Sequence, residues 1–267
     1  MSVKLKQFDP AAIGHNRICV FIGKRGTGKT TLLKDILYHA RDIPRGVAMS
    51  ATEESNEVFG EIMPKKYIFP EYRDDIVGTI VSQQRQMKKQ CGSTKPVFLV
   101  LEDCLYDREL KKSKNIRSVF FNGRHWKMLL LLTMQYCMDI GPELRGNVDY
   151  VFVLKDNIIA NRERLHRNFF GMIPRFDTFQ HLMNQCTENY ECLVLDNTST
   201  SNKLEDCVYW YKARQHRPFS VGNAEYRNCK GYRAAAPSST PPELMVDKEG
   251  HEEKGRNKKK KKKKSKK

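Results

Sequence analysis

The stretch Gly23-Lys24-Arg25-Gly26-Thr27-Gly28-Lys29-Thr30 constrains this chain more than any other. It fits the pattern G-x-x-x-x-G-K-[ST], whose glycines let consecutive backbone N–H groups curl around one anion. Its flanks give the pattern meaning. Ile18, Cys19, Val20, Phe21 and Ile22 precede it as a short apolar run of the kind that forms a buried parallel strand. Leu32, Leu33, Ile36, Leu37 and Ala40 follow at helical spacing, so the loop joins a strand to a helix whose N-terminus favours negative charge. A chance glycine-rich turn would not bring both flanks with it. The segment from Gly23 to Thr31 therefore reads as the phosphate cradle for ATP, with Lys29 reaching the β- and γ-phosphates and Thr30 offering its hydroxyl to Mg²⁺.

A second run agrees with the first. Pro96 opens Val97-Phe98-Leu99-Val100-Leu101, and Glu102 and Asp103 follow at once. A hydrophobic strand ending in paired acids is the Walker B pattern, in which one carboxylate holds the Mg²⁺ shell and its neighbour accepts a proton from attacking water. By itself it equally fits a solvated acidic turn, but it stands about seventy residues after a phosphate loop. A further core strand, Met128 to Thr133, has Gln135 just past its end, where a polar side chain can orient water or sense the γ-phosphate.

The rest of the chain supplies the sheet around these strands. Gly46–Ser50 and Tyr150–Leu154 read as strands, and Tyr67-Ile68-Phe69, bracketed by Pro64 and Pro70, as a sheet edge. Asp75–Gln90 carries an amphipathic helical pattern, and a basic helical segment holds Lys111, Lys112, Lys114, Arg117 and Arg124. Residues 159–187 read as helical, and Glu191–Asp196 with Cys207–Lys212 as a C-terminal β-hairpin. Phe8, Tyr209, Trp210 and Tyr211 are expected to pack on the sheet, the last three in preference to stacking on bases. The expected fold is α/β: a P-loop NTPase with a mainly parallel sheet flanked by helices. In such a sheet, ligands bind beyond the strands' C-terminal ends, where Lys29, Glu102, Asp103 and Gln135 all fall. Residues 1–217 form the predicted ATPase domain, and 218–267 a disordered Lys-rich tail.

Charge and cysteine content narrow the partners. Of the net charge of +17, the segment from Lys230 onward contributes +9, from fourteen Lys/Arg against five Asp/Glu, which leaves +8 on the 229 residues before it. A basic domain as well as a basic tail favours a polyanion, and nucleic acid is the obvious one. Lys258–Lys264 is an unbroken lysine run that suits either a DNA arm or a nuclear address. The eight cysteines contain no C-x-x-C pair, so free thiols are expected, Cys186 and Cys192 near His181 included. The longest apolar run, Met128–Leu132, is strand-sized, so no membrane span is expected, and Lys4, Lys6 and Asp9 interrupt any signal-peptide pattern.

Taken in order, these motifs resemble a known family. With Asn122-Gly123-Arg124-His125, Thr133-Met134-Gln135-Tyr136, Leu144-Arg145-Gly146-Asn147-Val148-Asp149-Tyr150-Val151-Phe152 and Trp210-Tyr211-Lys212-Ala213, the chain is similar to the genome-packaging ATPases of large nucleo-cytoplasmic DNA viruses. These form the poxvirus-type branch of the FtsK/HerA superfamily, and the likeness runs from about residue 8 to about 215. The resemblance implies an additional strand between the Walker A and Walker B strands, tipped by the polar sensor that Gln135 matches. It also implies a homo-oligomeric ring in which Arg124 reaches the neighbouring subunit's nucleotide. Such motors drive double-stranded DNA into preformed capsids and work with capsid or portal vertex proteins, in the virion or the cytoplasmic virus factory. One departure stands out: the usual Walker B pair starts with aspartate, and here Glu102 takes that place. Either Glu102 holds the metal shell and Asp103 polarises water, or the roles are exchanged. The alternative function is a P-loop nucleoside or nucleotide kinase, with Arg162–Arg175 as its lid; paired acids plus a sensor glutamine favour water as the acceptor. A nucleotide-dependent scaffold is the third reading, and the same acids argue against it.

Overall fold

Residues 5–228 are described in the computed structural model, and their nine strands form one sheet. In chain order the elements begin with β1 (Lys6–Gln7), β2 (Ile18–Ile22), α1 (Lys29–His39), β3 (Arg45–Ser50), α2 (Glu53–Asn56), β4 (Ile68–Phe69) and α3 (Asp74–Cys91). Then come β5 (Val97–Glu102), α4 (Arg108–Lys112), α5 (Lys114–Asn122), β6 (Met128–Met134), α6 (Pro142–Arg145) and β7 (Tyr150–Val153). The described chain closes with α7 (Ile159–Asn168), α8 (Phe176–Cys186), β8 (Glu191–Asp196), β9 (Val208–Lys212) and α9 (Ala224–Asn228).

The spatial order is β1-β9-β8-β7-β2-β6-β5-β3-β4, so β6 lies between the phosphate-loop strand β2 and the acid-tipped strand β5, as expected. The pairs from β7 across to β4 are parallel, while β8 runs antiparallel to both β7 and β9. Continuous apolar runs fit this arrangement, because β2, β5, β6 and β7 are buried at every residue and helices cover both faces. Register carries the site: Leu132 of β6 lies opposite both Val20 of β2 and Leu101 of β5, which brings the three strands' C-terminal ends level. Phe8 is buried among Tyr150, Phe152, Tyr209 and Tyr211, so the aromatic stretch of β9 packs where the sequence placed it.

Three expectations need correction. The basic segment is two helices, because Ser113 ends α4 and its hydroxyl caps α5 by accepting from the Ile116 N–H. Arg124 falls outside both, on a 3₁₀ turn at Gly123–Trp126. The helical stretch 159–187 is likewise broken between α7 and α8, around Gly171 and Pro174. Residues 218–228, assigned to the tail, are instead fastened to the domain. Val221 and Gly222 donate backbone N–H groups to the Ile62 and Arg41 carbonyls, and Tyr226 stacks on Tyr67 with its hydroxyl on the Gly46 carbonyl. The lysine run lies outside the described residues. Among those described, no helix is long and apolar enough to cross a membrane.

Candidate nucleotide site

The loop between β2 and α1 has the conformation its glycines permit. Gly26 and Gly28 adopt φ of 78° and 97°, where a side chain is strained, and Gly28 caps α1. At Gly23 the limit is space: an added Cβ would sit 2.7 Å from the Thr27 hydroxyl and 3.0 Å from Leu154. Gly23 also donates its N–H to the Met134 carbonyl at 3.1 Å, tying the start of the loop to the end of β6. Lys29 is buried, and its ammonium bridges the loop by donating to the Gly23 and Lys24 carbonyls at 2.8 and 3.1 Å. Burial lowers its pKa against the opposing charges of Asp103 and then Glu102. Lys24 forms an ion pair with Asp156 at 3.3 Å, Arg25 is exposed, and Thr27 closes the loop by donating to the Lys24 carbonyl at 2.7 Å. Thr31 is exposed on the first turn of α1.

The two acids at the tip of β5 stand in different surroundings. Glu102 is 2% exposed, and its carboxylate accepts from Thr30 at 2.5 Å, Ser50 at 2.6 Å and Thr52 at 3.3 Å. Asp103 is half-buried and takes φ of 49°, a left-handed geometry that aspartate tolerates better than most residues, held by its N–H on the Thr133 hydroxyl. Cys104 behind them is buried and its thiol is pushed up to about 12, chiefly by burial, so it stays protonated. The donors around Glu102 are all oxygens, which suits a hard divalent cation such as Mg²⁺ and not a softer metal. The glycine-lined cradle with a buried ammonium across it suits a polyphosphate.

Gln135 is exposed just past β6 and lines a cleft of about 440 Å³ with Ile22, Asp156, Asn161 and Arg164. Lys29, Thr30, Glu102, Asp103 and Gln135 are thus gathered at one edge of the sheet. Arg124 is not among them. It precedes β6, at the opposite edge, and pairs at 3.6 Å with the buried Asp149, which Arg17 also contacts at 3.2 Å. Of the arginines in 162–175, Arg162 is buried and donates to the Asp156 carbonyl and to Asn184, while Arg164, Arg167 and Arg175 are exposed. Cys186 and Cys192 are buried free thiols, with His181 exposed.

Sequence reasoning missed Ser50, Thr52, Tyr190 and Asp35. Ser50 carried a usable signal, as the polar last residue of an apolar strand. Tyr190 carried none: it sits with Asn189 at positive φ, and its exposed ring comes within 3.3 Å of where a Cβ on Gly28 would stand. Asp35 is a buried carboxylate inside α1, reached by a segment far along the chain.

No family model matches the chain. In sequence it is 37% identical to the uncharacterized protein 088R of Invertebrate iridescent virus 3 over 218 residues, 80% of this chain and 82% of that one. It is 34% identical to an uncharacterized protein of Acanthamoeba polyphaga mimivirus over 234 residues, 84% of this chain and 82% of that one. Among solved structures it is similar to the genome packaging NTPase B204 from Sulfolobus turreted icosahedral virus 2 in complex with ATP-γS, with a TM-score of 0.52 and 16% identity over 75% of this chain and 98% of that one. The DNA-packaging ATPase B204 from Sulfolobus turreted icosahedral virus gives a TM-score of 0.56 at 14% identity, over 76% of this chain and all of that one. Identities this low establish the fold, that of a P-loop ATPase, and nothing finer.

Proposed function

The chain belongs to the family of large-DNA-virus proteins that includes 088R of Invertebrate iridescent virus 3, and on that premise we propose that it is an ATP-hydrolysing motor that moves double-stranded viral DNA into preformed capsids. The observation that carries the proposal is the convergence of Lys29, Thr30, Glu102, Asp103 and Gln135 at the C-terminal edge of three adjacent parallel strands. B204, a packaging ATPase of the same fold, supports the genome-packaging part.

The roles follow from position. The loop amides from Gly23 to Thr31 bind the phosphates, and Lys29 offsets their charge. Thr30 and Glu102, already in contact, would hold the Mg²⁺ shell, and a cation held there would supply charge neutralisation at the β- and γ-phosphates. Asp103 accepts the proton of the attacking water, and Gln135 orients that water. Arg124 serves the neighbouring subunit of a homo-oligomeric ring. The basic surface and the lysine run bind the DNA backbone, and capsid or portal proteins anchor the ring in the cytoplasmic virus factory or virion.

The rate of phosphate release with and without duplex DNA, alongside the native mass with a non-hydrolysable nucleotide, tests this. The expected result is a multi-subunit assembly whose hydrolysis rises with DNA. Phosphate transfer to an added nucleoside, with no DNA response, would establish a kinase instead.

A further inference from the structure

Beside the phosphate loop lies a cleft of about 680 Å³ whose walls, apart from Thr30 and Thr31, lie outside every motif. One wall is the first turns of α1, through Thr31 and Lys34; a second is Val58 and Ile62; the third is the strap that leaves β9, through Gln215 and Phe219. We infer that this cleft takes the nucleoside of the bound triphosphate, a purine ring and its ribose, and that Asp35 positions the strap that walls it. The inference rests on the nucleotide reading of the phosphate loop and adds where the rest of the ligand goes.

Direction comes first. A triphosphate whose β- and γ-phosphates meet Lys29 has its α-phosphate near the residues after Thr30, and its sugar continues past them. Thr30 and Thr31 line this cleft, so the path out of the loop leads into it. The walls suit that cargo. Val58, Ile62, Pro218 and Phe219 offer apolar surface to a flat ring, while Thr31 and Gln215 offer hydrogen-bonding groups to a base edge or ribose.

The strap is built to stay in place. Asp35, buried on the helix that begins at Lys29, accepts from the Tyr211 hydroxyl at 2.6 Å, the Arg214 N–H at 3.1 Å and the His216 ring at 2.5 Å. His216 stacks on Tyr38 of the same helix with ring centroids 3.6 Å apart, and Phe219 meets Tyr38 edge-on at 5.1 Å. Beyond the cleft the strap is tied again at Ile62, Arg41 and Pro44. Lys34 and Glu61, ion-paired at 2.5 Å, close the gap between α1 and the second wall. One helix thus carries both the phosphate-binding residues at its start and, at Asp35, the anchor of the wall facing the base.

The test separates the two halves of the ligand. Binding of AMPPCP and of inorganic tripolyphosphate, both with Mg²⁺, is measured calorimetrically on the full chain and on Gln215→Ala, Phe219→Ala and Asp35→Asn, each checked for an unchanged circular dichroism spectrum. The expected result is that each variant weakens AMPPCP by about tenfold or more while tripolyphosphate binds within about twofold of the unaltered chain. Because Gln215 and Phe219 lie on the strap away from the core, their variants keep the test decisive if Asp35→Asn does not fold. Unchanged AMPPCP affinity in both strap variants overturns the inference, as does an equal loss of both ligands. If the unaltered chain binds no tripolyphosphate, the phosphate-loop reading fails and takes the inference with it.

Discussion

The hydroxyl of Thr30, on the first turn of α1, and the carboxylate of Glu102, at the tip of β5, meet at 2.5 Å. They lie seventy-two residues apart, and β6 stands between β5 and β2, the strand that α1 follows. The contact exists because β2, β6 and β5 end level, so the first turn of α1 folds back over the tip of β5. Glutamate's extra methylene, relative to the aspartate usual at this place, lets the carboxylate reach that hydroxyl while also accepting from Ser50 at 2.6 Å.

The proposed roles of the two acids predict different losses. Glu102→Gln keeps the shape but removes the charge that draws a cation, so it is expected to weaken Mg²⁺-dependent nucleotide binding. Asp103→Asn is expected to spare binding and lower turnover by about 10²–10⁴, the usual worth of a general base. Nucleotide titrations with and without Mg²⁺, beside single-turnover rates, check both. The reverse pattern would exchange the roles.

Lys29 makes a pH-dependent prediction. Its burial lowers the pKa, with Asp103 and then Glu102 opposing, so on rising pH it loses its proton before an exposed lysine does. Phosphate binding needs the charged form. Affinity for nucleotide should therefore be full at neutral pH and fall on the alkaline side, and binding there should take up a proton. Calorimetry in two alkaline buffers of different ionisation enthalpy measures that uptake; identical apparent enthalpies would remove Lys29 from the phosphate contact. At neutral pH, Lys29→Ala is expected to cost on the order of 10²–10³ in kcat, the worth of a lost charge-stabilising donor.

Much of this was readable from local pattern, and the exceptions share a cause. The apolar runs marked β2, β5, β6 and β7, because a strand covered on both faces must be apolar throughout. Gly23–Thr31 marked the cradle, because the chemistry there lies in the backbone and needs specific glycines. The strap from Arg214 to Phe219 was invisible, because its contacts go to Asp35 and Tyr38 at a separation near 180 residues and its composition resembles that of a loop. Ser50 was marked only as the polar end of an apolar strand, and Thr52 not at all. Their place beside Glu102 depends on β3 pairing with β5, and strand order is not written in any one strand.

Gly46 offers a test of that pairing. It lies opposite Phe98 of β5, and a Cβ added there would sit 2.3 Å from the Phe98 ring. The ring is fully buried and has nowhere to move. Gly46→Ala is thus expected to destabilise the fold by about 1–3 kcal/mol, the usual cost of overpacking, despite alanine's better backbone propensity. Urea unfolding of the two proteins measures it. An unchanged midpoint would mean that β3 and β5 are not paired in this register.

Arg124 is the residue whose proposed role the fold constrains most sharply. It precedes β6 while Gln135 follows it, so seven strand residues, about 20 Å at the usual rise, separate it from the nucleotide edge of its own subunit. Within one chain it holds an ion pair with Asp149, yet 58% of its side chain remains exposed and able to turn outward. A role at the phosphates is open to it only across a subunit boundary. There a guanidinium supplied by the neighbour neutralises transition-state charge, which can be worth roughly 10³–10⁵ in rate. It would also make hydrolysis wait for assembly. Arg124→Ala is therefore expected to bind ATP normally and to lose most of its activity alone, as Lys29→Ala is expected to do for a different reason. Mixed together, the two variants should recover part of the activity, because some interfaces then join an intact phosphate loop to an intact arginine. Phosphate release across a series of mixing ratios, with mixed rings verified by native mass, reads this directly. Mixed rings that stay inactive at every ratio would leave Arg124 with its ion pair to Asp149 and no part in catalysis.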